Sequence, residues 1–275
     1  MAFIQMNVMS ESLLRTVNVN VILPVDKIQM PDKDVAPVLQ QGKFKTLYLL
    51  HGIFGSQVDW INGTCLQRWA EERNLAVVMP AGDNHFYIDH PITHENYGQF
   101  VGKELVELTR RIFPLSHRKE DTFIGGLSMG GYGALRNGLK YHDTFGYIAA
   151  LSAAALVDYR DNIVPFLSEA MLTHIFGDME QARYSDNSLC HLMQENRCSG
   201  CNDQKIYLGC GLSDPLQTHT NQLYRDLMAN GYEVTAEYGE GAHEWDFWNR
   251  YIQRVINWLP LDDLEKGITS GNVGM

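Results

Sequence analysis

A serine between two glycines is the residue of this sequence with the clearest chemical potential. Ser128 lies in Gly126-Leu127-Ser128-Met129-Gly130, after a short apolar segment and before a stretch with the pattern of a helix. A direct turn from strand to helix strains the backbone and leaves no space for side chains two positions away, which explains the glycines. The pattern predicts a nucleophilic serine for acyl transfer. The alternative is a glycine-rich turn that only packs a helix against a sheet.

A serine nucleophile needs a general base and a third group that orients the base. Asp214 follows the apolar segment 205–208, and His243 follows the segment 233–237 and precedes a helical pattern. The chain order serine, aspartate, histidine is the order of the α/β-hydrolase topology. We therefore predict a catalytic triad of Ser128, Asp214 and His243, with the histidine as base and acid.

The developing oxyanion also needs hydrogen-bond donors. The loop His51-Gly-Ile-Phe-Gly55 directly follows the apolar segment 46–50, and its glycines let the backbone bend. We predict that the oxyanion hole consists of the backbone N–H of Ile53 and that of Met129, the residue after the nucleophile.

Each of these assignments has an alternative when it is taken alone, because a loop aspartate often caps a turn and a histidine often caps a helix. Asp246 and His219 are near the predicted pair in sequence, and His85, His90 and His94 lie close together. Asp246 falls inside the last predicted helix, and the three histidines precede the nucleophile, so neither fits the topology. The three histidines are interpreted as the polar rim of a pocket rather than as a metal site.

Aromatic residues are candidates for contact with the substrate. Phe54, Phe86 and Tyr87 are predicted to bind substrate, the last two as the lining of an acyl or aromatic pocket. Trp245 and Trp248 are three positions apart on one predicted helix, which is more typical of core packing that braces the loop of the catalytic histidine.

The elements that must position these residues alternate along the chain. Apolar and polar residues alternate in two segments, 3–9 and 16–23, which favours an antiparallel pair of strands at the start of the chain. Six short apolar runs follow. Helical patterns cover about 64–73, 100–112, 129–140, 216–230 and 244–259. This alternation predicts an α/β fold with a mostly parallel central sheet and helices on both faces. The strand ends that carry the candidate residues then share one edge.

Residues 156–203 interrupt this alternation with scattered polar residues around short helical pieces such as 164–176. The sequence predicts one α/β-hydrolase domain over 1–275, with 156–203 as an insertion that forms a lid or one wall of the pocket.

Charge and composition exclude several other classes. The formal net charge of −11 argues against nucleic-acid binding, since phosphates would be repelled. The sequence contains no run of 18 apolar residues, so it predicts no membrane span. The N-terminus lacks the pattern of a signal peptide. We expect a cytoplasmic protein.

The cysteines fit the same compartment. They number five, and they are interpreted as reduced thiols. Cys198 and Cys201 have the spacing of metal ligands, with Cys190 and His191 just upstream, but no second pair completes a zinc site. A polar loop is the favoured interpretation, with zinc as the alternative.

Four segments together resemble the esterase D family of α/β-hydrolases: His51-Gly-Ile-Phe-Gly with Trp60, Gly126-Leu-Ser-Met-Gly-Gly-Tyr-Gly-Ala-Leu, Cys210-Gly-Leu-Ser-Asp and Gly241-Ala-His-Glu-Trp-Asp-Phe-Trp. The resemblance spans about residues 3–260 and is nearest to the bacterial tributyrin esterases, a branch with feruloyl and acetyl esterases. It implies the same triad and oxyanion donors, no metal or cofactor, short-chain acyl esters as substrates and self-association as a homo-oligomer.

Two departures favour a carboxylesterase over the S-formylglutathione hydrolases of this family. Those enzymes usually carry a Gly-Leu-Thr-Cys loop where this chain has Gly52-Ile-Phe-Gly, and Asp-His-Ser-Tyr where it has Glu244-Trp-Asp-Phe-Trp. A thioesterase of that type is the alternative function. A non-catalytic binding protein with a hydrolase fold is a further one, although such proteins usually lose a triad residue.

Overall fold

A mixed sheet of eight strands forms the centre of the computed structural model, which describes residues 1–26, 42–90, 92–159 and 167–261. Its strands are β1 (Ala2–Ser10), β2 (Arg15–Leu23), β3 (Thr46–Leu50), β4 (Ala76–Pro80), β5 (Thr122–Leu127), β6 (Tyr147–Leu151), β7 (Lys205–Gly211) and β8 (Glu233–Gly239). Their order across the sheet is β1-β2-β4-β3-β5-β6-β7-β8.

The first two strands differ in direction from the rest. β1 pairs antiparallel with β2, and β2 pairs antiparallel with β4. The pairs from β4 through β3, β5, β6 and β7 to β8 are parallel. The predicted antiparallel start and mostly parallel sheet are confirmed.

The described helices are α1 (Asp59–Gly63), α2 (Leu66–Glu72), α3 (Tyr97–Gln99), α4 (Leu105–Ile112), α5 (Met129–Lys140), α6 (Glu169–Phe176), α7 (Met179–Ala182), α8 (Leu189–Ser199), α9 (Gln217–Ala229) and α10 (Trp245–Trp258). A π-helical turn, Phe100–Glu104, joins α3 to α4. The helix expected at 64–73 is α2, and α1 is a separate short helix before it, divided from α2 by Thr64, which is extended with φ −144° and ψ 169°. No helix in the described ranges is long and apolar enough to cross a membrane.

The central strands face two separate hydrophobic cores. Tyr48 and Leu50 of β3 lie in a cluster with residues of α4, α5, α8 and α9. Leu47 and Leu49 lie on the opposite face, where α2 and α10 cover the sheet. Side chains of a strand alternate between the two faces, so helices on both sides bury all of them. This arrangement confirms the predicted α/β-hydrolase fold.

The segment 156–203 contributes α6, α7 and α8. The Asn196 side chain of α8 donates a hydrogen bond of 2.9 Å to the Leu139 carbonyl, which attaches this segment to α5. α6 begins after Ser168, whose hydroxyl accepts a hydrogen bond from the N–H of Met171. The first residues of the helical piece expected at 164–176 lie outside the described residues.

Candidate active site

The backbone at Ser128 turns sharply between β5 and α5. Its φ is 55° and its ψ is −118°, a conformation with positive φ that residues other than glycine rarely adopt. A β-carbon at position 126 would overlap the Gly130 carbonyl, and one at position 130 would overlap the Leu50 carbonyl. The two glycines are therefore required by close backbone contacts, as the sequence predicts.

The structure brings the three predicted triad residues together. Oγ of Ser128 lies 3.0 Å from Nε2 of His243, and Nδ1 of His243 lies 3.0 Å from Oδ2 of Asp214. A carboxylate only accepts hydrogen bonds, so Nδ1 carries the ring proton and Nε2 is left to accept the proton of the serine hydroxyl. The arrangement allows His243 to remove the hydroxyl proton during nucleophilic attack.

Asp214 is held as an anion beneath the histidine. Burial alone would raise the pKa of its carboxyl, but hydrogen bonds from His243, Ser152 and the N–H of Leu216 outweigh burial and lower this pKa. The Leu216 N–H donates to Oδ1 at 2.8 Å. The charged carboxylate can therefore stabilise a protonated imidazole above it.

The loop after β3 is fixed by His51, which is almost fully buried. Nε2 of His51 accepts a hydrogen bond of 2.9 Å from the Gly82 N–H, so Nδ1 bears the proton and donates it to the Gly52 carbonyl at 2.7 Å. Burial lowers the pKa of His51 and keeps the ring neutral. Ile53 follows Gly52, and both lie at the candidate pocket.

Met129 is the other predicted oxyanion donor. It is the first residue of α5, and the first N–H groups of a helix have no intrahelical acceptor. Ile53 and Met129 both line the cavity beside Ser128, so the two predicted donors come from the loop after β3 and from the start of α5.

A cavity of about 410 Å³ opens at Ser128 and His243. Its walls are mainly apolar and include Ile53, Phe54, Phe86, Leu167, Trp245 and Trp248. Leu167 belongs to the segment 156–203, which thus supplies part of the wall. Pockets of this size and character suit small apolar ligands with a few polar contacts.

The three predicted substrate-binding aromatic residues occupy different places. Phe54 and Phe86 line the cavity, and Phe54 is 70% exposed at its rim. Tyr87 is not among the lining residues; it is fully buried, and its hydroxyl donates a hydrogen bond of 3.1 Å to the His51 carbonyl. Phe86 and Tyr87 both have positive φ, 52° and 57°.

The two tryptophans of α10 pack in the core and also contact the candidate site. Trp248 is buried and its ring contacts the His243 ring edge-on, with 4.8 Å between centroids. Trp245 packs edge-on against Trp248 and Trp60. The predicted bracing of the histidine loop agrees with these contacts, and both residues of α10 also line the cavity.

The other candidate residues lie away from the cavity. His85 stacks on Tyr97 with 4.9 Å between ring centroids, and His90 lies beside it. Asp246 is in the first turn of α10, and His219 is buried in α9. Among the residues described, no three His, Cys, Asp or Glu are grouped so that they could hold a metal ion.

The thiols of the segment 156–203 point to different surroundings. Cys190 Sγ lies 3.8 Å from the Asp226 carboxylate, and burial raises the pKa of this thiol to about 12. Cys201 Sγ lies 3.7 Å from the Ser199 carbonyl.

Comparisons with known proteins identify the family of this chain. A family model described as "Putative esterase" matches residues 10–257. The chain belongs to this esterase family. A curated relative of the esterase, the acetyl esterase of Caldicellulosiruptor saccharolyticus, is 40% identical over 267 residues, which are 94% of this chain and 98% of the relative.

Two solved structures from Staphylococcus aureus resemble the esterase. The substrate-bound fluorophosphonate-binding serine hydrolase FphF superposes with a TM-score of 0.80 at 28% identity, over 94% of this chain and 98% of that one. The S-formylglutathione hydrolase FrmB superposes with a TM-score of 0.79 at 28% identity and the same coverage. The predicted family and the predicted class, a carboxylic ester hydrolase, are confirmed.

Proposed function

We propose that the protein is a serine carboxylesterase that hydrolyses short-chain acyl esters through an acyl-enzyme on Ser128. The hydrogen-bonded chain from Ser128 Oγ through His243 to Asp214, at 3.0 Å for each step, carries this proposal. The chain is the acid–base and nucleophile system that acyl transfer to water requires. The acetyl esterase named above, 40% identical over 267 residues, supports the same substrate class.

In the proposed acylation step, Ser128 Oγ attacks the ester carbonyl while His243 Nε2 takes the hydroxyl proton. The carbonyl oxygen becomes an oxyanion, which accepts hydrogen bonds from the N–H groups of Ile53 and Met129. Asp214 stabilises the imidazolium and holds its tautomer. The tetrahedral intermediate collapses, His243 returns the proton to the leaving alcohol, and the acyl group stays on Ser128.

Deacylation repeats the same steps with water as the nucleophile. His243 removes a proton from water as it attacks the acyl-enzyme, and the second tetrahedral intermediate uses the same oxyanion donors. When this intermediate collapses, the proton passes from His243 to Ser128 Oγ, and the carboxylic acid leaves. The free enzyme is restored without a cofactor.

The cavity argues for small substrates. Its volume of about 410 Å³ has to hold both the acyl group and the alcohol. The apolar walls favour alkyl or aromatic groups, with Phe54 and Phe86 as contacts. We propose the segment 156–203 as a lid within a single domain, supported by Leu167 in the wall.

The first test is hydrolysis of p-nitrophenyl esters from acetyl to octanoyl, and of methyl ferulate, by the wild type and Ser128→Ala. We expect short-chain activity that falls by about 10⁶-fold in the variant. The profile of kcat/KM against chain length measures the depth of the pocket. Equal activity in both proteins would refute the role of Ser128.

An S-formylglutathione hydrolase is the second candidate, since the protein resembles FrmB with a TM-score of 0.79. The ratio of kcat/KM for S-formylglutathione to that for p-nitrophenyl acetate separates the two. We expect the oxygen ester to be preferred, because the loops at Gly52 and Glu244 depart from the thioesterase pattern.

The proposed location is the cytoplasm. All five cysteines are free in the structure, which supports a reducing compartment. Self-association as a homo-oligomer is proposed from the family resemblance, and sedimentation velocity tests it.

A further inference from the structure

An aromatic ring lies at the buried end of the cavity. Phe86 lines the cavity beside Ser128 and is 1% exposed, whereas Phe54, which lines the same cavity, is 70% exposed. The cavity therefore has a buried end at Phe86 and an open end at Phe54. A wall residue limits the length of a ligand only if it cannot move aside, so the groups packed against Phe86 decide whether this end is firm.

Two further aromatic rings pack against Phe86 outside the cavity. Its ring lies edge-on against Tyr132 of α5, with 5.9 Å between centroids, and against Phe176 of α6, with 5.1 Å. Tyr132 and Phe176 also contact each other edge-on at 5.8 Å, and the Tyr132 hydroxyl donates a hydrogen bond of 2.6 Å to the Asn187 carbonyl. Both rings are buried, and neither lines the cavity. Close packing of this kind leaves Phe86 no space into which it can withdraw.

The helix that carries the nucleophile at its start also fixes the position of Phe86. The N–H of Tyr132 donates a hydrogen bond of 3.0 Å to the Ser128 carbonyl, in the first turn of α5. Further along α5, the buried side chain of Asn137 donates a hydrogen bond of 2.9 Å to the carbonyl of Tyr87, the residue after Phe86. The distance between the nucleophile and the buried end of the cavity is therefore set by α5.

The order of product release assigns this buried end to the acyl group. In the proposed reaction the alcohol leaves while the acyl group is still bonded to Ser128. The alcohol needs a path to solvent, and water has to enter before deacylation, so both use the open end at Phe54. The acyl group stays in place until deacylation and occupies the end closed by Phe86.

We propose that Phe86, held by Tyr132 and Phe176, is a specificity-determining residue that ends the acyl pocket and limits the enzyme to short acyl chains. The proposal rests on the esterase function proposed above and defines its substrate class more narrowly. The segment 156–203 then takes part in substrate selection through Phe176, a residue that does not line the cavity.

Phe86→Ala tests the buried end. With p-nitrophenyl esters from acetyl to octanoyl, we expect wild-type kcat/KM to fall beyond butyryl, and the optimum of Phe86→Ala to lie about two to four carbons longer. Each methylene that enters the enlarged pocket should raise kcat/KM about fourfold, the effect of burying one CH₂ group. Alkyl acetates from methyl to octyl vary the alcohol instead, and pH-stat titration of the released acid should give the wild-type profile.

Phe176→Ala separates support of Phe86 from direct contact with the substrate. Because Phe176 does not line the cavity, its removal changes the acyl profile only if Phe86 moves, and we expect a shift of about one or two carbons toward longer chains. Phe145→Ala is the matched control. Phe145 is also buried and packs edge-on against Tyr48, away from the cavity, so this variant should keep the wild-type profile. Thermal unfolding shows which variants are folded, and leucine replaces alanine at any position where the alanine variant is not.

Four outcomes overturn the proposal: a wild type that prefers octanoyl to acetyl esters, an unchanged acyl profile in folded Phe86→Ala, a shift confined to the alkyl acetates, or equal profiles for Phe176→Ala and Phe145→Ala. The esterase function is tested separately, because it fails only if the wild type is inactive toward every ester or if Ser128→Ala keeps wild-type activity. An active Phe86→Ala with an unchanged profile would refute the limit at Phe86 and leave the esterase function intact.

Discussion

His51 controls a predicted oxyanion donor through one peptide group. Its Nδ1–H donates to the Gly52 carbonyl at 2.7 Å, and in a planar trans peptide the Ile53 N–H points the opposite way. We expect His51→Ala to lower kcat about 10- to 100-fold, because the donor is misplaced rather than removed. Steady-state kinetics with p-nitrophenyl acetate measure the effect.

Tyr87→Phe is the control for this prediction. It removes the hydroxyl that donates to the His51 carbonyl but leaves the hydrogen bond to Gly52 intact. Its kcat should stay within about threefold of wild type. Wild-type kcat in folded His51→Ala would show that the Ile53 N–H does not depend on this histidine.

Asp214 should link the stability of the fold to pH. Burial opposes ionisation, yet the hydrogen bonds from His243 and Ser152 lower its pKa in the folded protein. A carboxyl with a lowered folded pKa stabilises the fold above its unfolded pKa of about 3.9, and this stabilisation is lost as the pH falls through the folded pKa. We expect Asp214→Asn to reduce the free energy of unfolding at about pH 7, and the reduction to shrink below about pH 4.

Urea unfolding of wild type and Asp214→Asn across this pH range measures the difference. Asp203→Asn is a useful comparison, since the pKa of Asp203 is lowered by a hydrogen bond from Lys119 in a largely exposed position. A difference for Asp214 that did not change with pH would contradict the link to its charge.

At the scale of elements, the turn from β5 into α5 limits which residues can occupy the positions just before Ser128. A β-carbon at Gly126 would overlap the Gly130 carbonyl, whereas one at Gly125 would lie 3.3 Å from the Ala149 carbonyl and 3.4 Å from its side chain. We expect Gly126→Ala to destabilise the fold by about 3 kcal/mol or more, and Gly125→Ala by clearly less. Thermal unfolding of the two variants compares adjacent glycines of one strand, and equal losses would contradict the proposed cause.

The same strand shows why some element ends were predictable and others were not. The bounds of β3 and β6 match the apolar runs at 46–50 and 147–151, because strands buried on both faces are continuously apolar. The strand expected over 121–126 is β5, Thr122–Leu127, whereas β7 continues to Gly211, past the apolar segment at 205–208. Gly125 and Gly126 resemble loop residues, yet they pair with β3 and β6 on either side.

The candidate site was predictable where a polar residue follows a strand in the right chain order. Ser128, Asp214 and His243 satisfy that rule, and the structure brings them together. Tyr87 does not line the cavity, and the backbone of its loop, with φ 57° at this residue, cannot be inferred from residue types.

At the scale of the whole molecule, the formal net charge of −11 should select among substrates. Its field repels anionic esters, and added salt screens that repulsion. We expect kcat/KM for mono-p-nitrophenyl succinate to rise about two- to tenfold between about 0.01 M and about 0.5 M NaCl. The neutral ester p-nitrophenyl acetate is the control and should change little, whereas an equal response of both esters would show a salt effect unrelated to substrate charge.

The backbone of Ser128 also implies that this enzyme is less heat-resistant than its fold allows. Its φ of 55° and ψ of −118° lie in the mirror image of the extended region, which only glycine adopts without steric strain. For serine this strain costs about 1–3 kcal/mol. Replacing Ser128 by glycine releases that energy and loses about 0.4–1 kcal/mol through greater freedom of the unfolded chain. The inactive Ser128→Gly should therefore melt at a higher temperature than the wild type, while Ser128→Ala, which keeps a β-carbon, should not. The same φ and ψ at Ser128 would then be needed for activity and would lower the thermal stability of the fold.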